Sequence, residues 1–193
     1  MKIKKIVETL VLAACCTGSA QAGVISLQNA SITGTYDGQG SAMLGLDGGF
    51  GPGSNTTHLS PYNPDAEFIT SDYLFVIDFD ASGNVIIAAN DVIPASAHVM
   101  RFDFGSSLPA NIASLSLTDM GGNGGAPTLS VIDAHTIEFD LSGITWNGTF
   151  SSFTAQLGSA DASAVPEPGS ITLLFAGLAG LALVRRPRLT TRR

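Results

Sequence analysis

Cysteine is missing from almost the whole chain: the only two, Cys15 and Cys16, stand side by side in an apolar leader. The chain after residue 22 therefore has no disulfide, no thiol nucleophile and no thiolate metal site. Lysine stops at Lys5, and between residues 23 and 164 Arg101 is the sole base against fourteen Asp and Glu, a formal charge of −13. A surface of that sign repels phosphate backbones, which excludes nucleic acid as a partner. Charged residues make up only 13% of the chain and hydrophobic ones 45%, a balance too apolar for disorder. No amphipathic helical period and no fixed repeat is present. The length, 193 residues, allows one domain of ordinary size. A central section of about 140 residues is long enough to bury a core without staples.

What is present is most informative at the ends. Lys2, Lys4 and Lys5 precede an apolar run from Ile6 to Ala14, broken only by Glu8 and Thr9, and Ala20-Gln21-Ala22 follows. Small residues at Ala20 and Ala22 form a signal-peptidase site, so residues 1–22 read as a signal peptide cut before Gly23. Leu12-Ala13-Ala14-Cys15 also fits a lipoprotein box with Cys15 as the lipidated residue, and this alternative stays open beside the first.

At the other end stand Val165-Pro166-Glu167-Pro168-Gly169-Ser170, an apolar stretch from Ile171 to Val184, and a basic tail with Arg185, Arg186 and Arg188. The two prolines cannot lie inside a helix, so a helix is expected to start after them. Its fourteen residues would span about 21 Å, short of the roughly 30 Å of a bilayer core unless the arginines snorkel or the bilayer thins. The arginines would stay on the cytoplasmic side, with the domain outside. Residues 165–193 resemble the PEP-CTERM sorting signal of exopolysaccharide-producing Gram-negative bacteria. The resemblance rests on the Pro166-Glu167-Pro168 motif, the small-residue helix Ala176-Gly177-Leu178-Ala179-Gly180 and the arginine cluster. Pro187, which interrupts the arginines, and the tail continuing to Arg193 depart from the pattern. The resemblance implies recognition by a membrane-embedded exosortase, a cut near the motif, and passage from an inner-membrane-anchored precursor to the cell surface or matrix.

The central section, 23–159, reads as all-β, a β-sandwich or jelly-roll-like domain, with 160–164 as a spacer. Tyr73 to Phe79 alternates, with Tyr73, Phe75, Ile77 and Phe79 on one face. Asp80 to Asn84 supplies turn chemistry, and Val85 to Ala88 completes a hairpin. Residues 98–104 and 136–141 alternate as cleanly, and weaker strands are expected at 24–33, 41–46, 113–118, 128–132 and 149–157. That makes roughly eight short strands. Asp47 to Ala66, with four glycines and three prolines, and the glycine-rich Asp119 to Pro127 read as long, mobile loops.

Chemistry is sparse. His58, His98 and His135 have no metal-ligand spacing, and His98 shares a face with Met100 and Phe102, as a core histidine does. No G-x-S-x-G elbow occurs. Asp78 and Asp80 are a carboxylate pair of the kind a glycosidase uses, although a structural role fits them better. Asp78, Asp80, Ser82 and Asn84 place oxygen donors at alternate positions around a glycine turn, like the first half of a calcium loop, but the closing Glu is missing because Ala89 stands there. Trp146 is the sole tryptophan, suited to a strand-end core position or to stacking on a sugar. The expectation is an exported structural or adhesive protein without catalysis or cofactor, processed by signal peptidase and exosortase and associated with exopolysaccharide. The alternatives are a carbohydrate- or calcium-binding matrix module and, further off, an exported hydrolase.

Overall fold

The computed structural model describes residues 23–60 and 66–159. The expected signal peptide, the spacer, the Pro-Glu-Pro motif, the apolar span and the arginine cluster lie outside the described residues. Among those described, no helix is long and apolar enough to cross a membrane.

The described chain is all-β, with fourteen strands and two short 3-10 turns. In chain order the strands are β1 (Gly23–Val24), β2 (Ser31–Tyr36), β3 (Met43–Gly45), β4 (Thr56–His58), β5 (Phe68–Thr70), β6 (Phe75–Phe79) and β7 (Asn84–Ala89). Then come β8 (Val99–Asp103), β9 (Ile112–Asp119), β10 (Gly124–Gly125), β11 (Thr128–Val131), β12 (Thr136–Asp140), β13 (Ile144–Thr145) and β14 (Ser152–Ser159). One sheet runs β9-β14-β7-β6-β5-β3, with β1 on the β7 side of the last residues of β14. The second runs β11-β12-β8-β2-β4, and β10 with β13 forms a small ribbon. Every pairing is antiparallel.

Alternation in sequence becomes alternation in burial. Phe75, Ile77 and Phe79 of β6 and Val85, Ile87 and Ala89 of β7 are buried, while the residues between them are half-exposed. The opposite sheet answers with Met100 and Phe102 of β8 and Ile137 and Phe139 of β12. Phe102 touches Phe68 and Phe79 across the interior at centroid distances of 5.6 and 5.0 Å, and Phe139 meets Phe153 at 6.1 Å. The two sheets thus share one aromatic core, consistent with a β-sandwich. Each fully buried Phe is worth about 1.5–3 kcal/mol relative to exposure.

Several local expectations need correction. The expected strand 24–33 is broken by a turn at Asn29, whose φ is 62°, and pairing resumes only at Ser31. Tyr73 is not on the core face of β6. It lies in the preceding turn at φ 59° and is 61% exposed. Inside the expected loop 47–66, β4 pairs with β2 through Ile32↔Thr57, and β5 just beyond it links β3 to β6. The glycine-rich segment is a joint rather than a mobile loop. Its Asn123 is buried, donates to the Ser152 carbonyl at 3.0 Å and accepts from the Asn147 N–H at 2.9 Å.

Arg101 stands opposite Glu138 in the β8–β12 register and reaches it through Nε at 3.0 Å and an η nitrogen at 2.6 Å. Asp103, two residues on, accepts instead from the Gly105 N–H at 2.7 Å. The ion pair is largely open, with the arginine side chain 52% exposed. Arg101→Ala is therefore expected to cost at most about 1 kcal/mol, and less as salt is added. Thermal unfolding at low and moderate ionic strength checks this, and a penalty independent of salt would contradict it.

Candidate functional site

The most concentrated chemistry lies at one end of the two sheets, where β2 and β12 end, β8 begins, and β6 and β7 meet the start of β14. Residues 90–97 cross there from β7 to β8. His98, just before β8, keeps the inward parity of Met100 and Phe102 and is only 6% exposed. A polar ring in that position must find hydrogen bonds. Its Nδ1 lies 2.6 Å from the Tyr36 hydroxyl and its Nε2 lies 2.8 Å from Ser96 Oγ. The ring stacks on Tyr36, 5.8 Å between centroids at an interplanar angle of 10°, and meets Phe75 edge-on at 5.3 Å.

The chain of bonds continues beyond Tyr36. Its hydroxyl donates to Asp72 Oδ2 at 3.1 Å, while Asp72 Oδ1 accepts from Thr70 Oγ1 at 2.6 Å and from the Leu74 N–H at 3.1 Å. Burial, and then the charge of Asp72, push the Tyr36 phenol well above its ordinary value, so it remains a donor. With that proton spent on Asp72, the Tyr36 oxygen accepts from His98 Nδ1–H. In the neutral imidazole, Nε2 is then the acceptor and Ser96 donates to it. One carboxylate fixes the polarity of the whole series Asp72–Tyr36–His98–Ser96.

Ser96 and His98 open on a pocket of ≈ 590 Å³ also lined by Ile93, Ser142, Thr145 and Trp146. Among the described residues no Asp, Glu, Lys or Arg lines it. Trp146, just after β13, is half-buried. It rests on Phe75 at 5.5 Å and on Phe153 at 6.1 Å, so it serves both as core cover and as pocket wall. Val92, at the pocket's rim, is 74% exposed, and outside the lining Tyr73 and Phe150 are 61% and 79% exposed. Tyr73 and Phe150 both sit at left-handed backbone positions, φ 59° and 64°. They flank the end of β7, Phe150 through its N–H to the Ala89 carbonyl and Tyr73 through its carbonyl to Asn90 Nδ2. Left-handed backbone is costly for an aromatic residue, and such strain persists where the surroundings hold it.

The proposed calcium residues are occupied by one another. Asp80 Oδ1 accepts from the Ser82 and Asn84 N–H groups at 2.7 and 3.0 Å, and its Oδ2 from Asn84 Nδ2 at 2.6 Å, which locks the β6–β7 turn. Asp78 hydrogen-bonds with Glu67 and also feels the charge of Asp80. Glu67, 1% exposed, accepts the Phe79 N–H on Oε2 at 2.6 Å. Burial pushes its carboxyl up to about 8, against the pull of that N–H and with the help of Asp78. Among the described residues no group of three or more His, Cys, Asp or Glu is placed to hold a metal. His58 is exposed and bonded to Asp47 at 2.6 Å, a contact that lowers the Asp47 carboxyl. His135 immediately precedes β12, its backbone N–H donating to Asp133 Oδ1 at 2.8 Å.

The inward position of His98 and a strand-end role for Trp146 were legible in the sequence; Tyr36, Asp72 and Ser96 were not. The available signal was His98 itself, a polar residue on an apolar face that had to recruit partners.

Comparison with known proteins adds one finding. Residues 164–186 match the PEP-CTERM protein-sorting motif. No curated protein and no solved structure matches the chain.

Proposed function

We propose that this chain, an exported exosortase substrate by virtue of its PEP-CTERM motif, delivers an adhesive β domain to the cell surface or matrix, where the domain holds neutral exopolysaccharide. In this reading signal peptidase cuts after Ala22 and the segment 171–184 anchors the precursor, with Arg185, Arg186 and Arg188 inside. Exosortase then acts near Pro166-Glu167-Pro168. Gly23, the residue at which the mature chain would begin, pairs with Ser159 and accepts from its Oγ at 3.2 Å.

The observation that carries the binding reading is the uncharged pocket walled by Trp146. A sugar ring offers a C–H face to stack on indole and hydroxyls to meet Ser96, Ser142 and Thr145. The exposed Tyr73 and Phe150 extend the apolar surface beside it, as adhesive surfaces do. A domain with one base and fourteen acids repels acidic glycans, which favours a neutral chain. Electrophoresis of the protein through gels containing neutral or acidic polysaccharide tests the proposal. Retardation is expected in neutral gels only, and Trp146→Ala should weaken it about tenfold. Equal retardation of the variant, or a preference for acidic polysaccharide, would refute it.

A further inference from the structure

We infer that Ser96 is a nucleophile and that the pocket it shares with Trp146 hydrolyses O-acyl esters, such as those carried on a neutral saccharide. The inference replaces the expectation of a domain without catalysis. It rests on the polysaccharide reading only for the alcohol half of the substrate. The geometry is nucleophile, base and orienting group in series. Ser96 Oγ lies 2.8 Å from His98 Nε2, and His98 Nδ1 lies 2.6 Å from a tyrosine hydroxyl that is itself bound to Asp72. A histidine serving only to fill the core needs two partners of any kind. Here the partners favour a direction: with His98 Nδ1–H donating to Tyr36, Ser96 donates to Nε2, and Ser96 itself lines the pocket. Ser96 is exposed and lines the pocket, whereas His98 and Tyr36 are buried at 6% and 4%, so at the pocket the serine oxygen is the group of the series most open to a ligand.

The reaction follows from these positions. Ser96 Oγ forms a bond to the ester carbonyl carbon as its proton passes to His98 Nε2. The bond from that carbon to the alkoxy oxygen then breaks, and the departing alcohol takes the proton back from His98. Water attacks the acyl-serine, again giving its proton to His98, and the carboxylic acid leaves with Ser96 restored. The sum is ester plus water to alcohol plus acid, with no other reactant. While His98 carries the extra proton, the Tyr36 dipole and the Asp72 carboxylate at the far end of the series stabilise it, which makes both positioning residues. Glycosidic cleavage does not fit this pocket, since the paired carboxylates it needs are absent from the lining.

The test uses the full-length chain, p-nitrophenyl acetate as substrate and a fluorophosphonate probe. The probe should label one residue, Ser96, by peptide mass mapping. Ser96→Ala, which also removes the partner of the buried His98 Nε2, should lower p-nitrophenyl acetate hydrolysis at least about a hundredfold in a chain that still unfolds cooperatively, at a somewhat lower melting temperature. Tyr36→Phe should lower kcat about tenfold or more at unchanged KM, as expected of a positioning residue. An unlabelled Ser96 in the folded wild-type chain, or undiminished hydrolysis by Ser96→Ala, would overturn the inference. Labelled Ser96 with no polysaccharide retardation would count against the adhesive reading alone. Retardation without labelling would count against this inference alone.

Discussion

Glu67→Gln is expected to flatten the pH dependence of stability and to raise stability near pH 8 by a few kcal/mol, on the order of 1.4 kcal/mol for each unit of pKa shift relieved. β5 begins at Phe68, so Phe79, at the end of β6, lacks a backbone acceptor on that side, and the Glu67 carboxyl supplies one at 2.6 Å. Burial dominates there and raises the group from 4.5 to about 8, and Asp78, which shares a hydrogen bond with it, is also raised. A folded value above the unfolded one means that the contribution is complete below about pH 4.5 and is lost as pH rises through about 8. Asp78 acts in the same direction. Asp47, Asp133 and Asp140 are lowered by their hydrogen bonds and act oppositely, losing their contributions only in stronger acid. The wild-type melting temperature should therefore be highest in mild acid and fall towards pH 9. Gln keeps the acceptor for Phe79 and carries no charge, so the fall should largely vanish. Thermal unfolding from pH 4.5 to 9 measures it. A wild-type curve rising through that range, or a variant with the same slope, would show that Glu67 is ionised and paired.

Gly121→Ala should have an effect of similar size in the opposite direction, a loss of about 2–4 kcal/mol. Gly121 has φ 54°, and a β-carbon there would lie 2.1 Å from the Ser152 carbonyl oxygen, the atom that also accepts from Asn123 Nδ2. Neither partner can yield without breaking the joint between this segment and the start of β14. Gly38→Ala is the control: φ is 75° but nothing lies within 4 Å of the added carbon, so only the backbone penalty of about 1 kcal/mol applies. Chemical denaturation of both variants compares the two costs. Equal losses would mean that the contact with Ser152 is relieved by a small shift.

These two sites mark where reading the sequence stops. Strands β6, β7, β8 and β12 were legible because each alternates over five or six residues with one face buried. β4 and β5, three residues each, carry too short a pattern and exist because β2, β3 and β6 offer them edges. The composition of Gly121 to Gly125 suits a mobile loop as well as a tight joint, and only the proximity of Ser152 and Asn147 decides between them. The relay was hidden for a related reason. His98 was visible, but Tyr36 and Asp72 reach it from positions 62 and 26 residues away, brought together by sheet pairing that no local motif encodes. The sorting signal was fully legible because it acts as linear text, three segments in fixed order needing no fold to be recognised.

The central claim is that this chain is exported and then processed at its carboxyl end. Its most direct test is the intact mass of the protein recovered from an exopolysaccharide-producing host, with and without its exosortase. The mature form from the complete host should begin at Gly23 and lack everything beyond the Pro166-Glu167-Pro168 region, and loss of the exosortase should leave the chain extending to Arg193. A mature protein that retains Arg193 in the complete host would contradict the account.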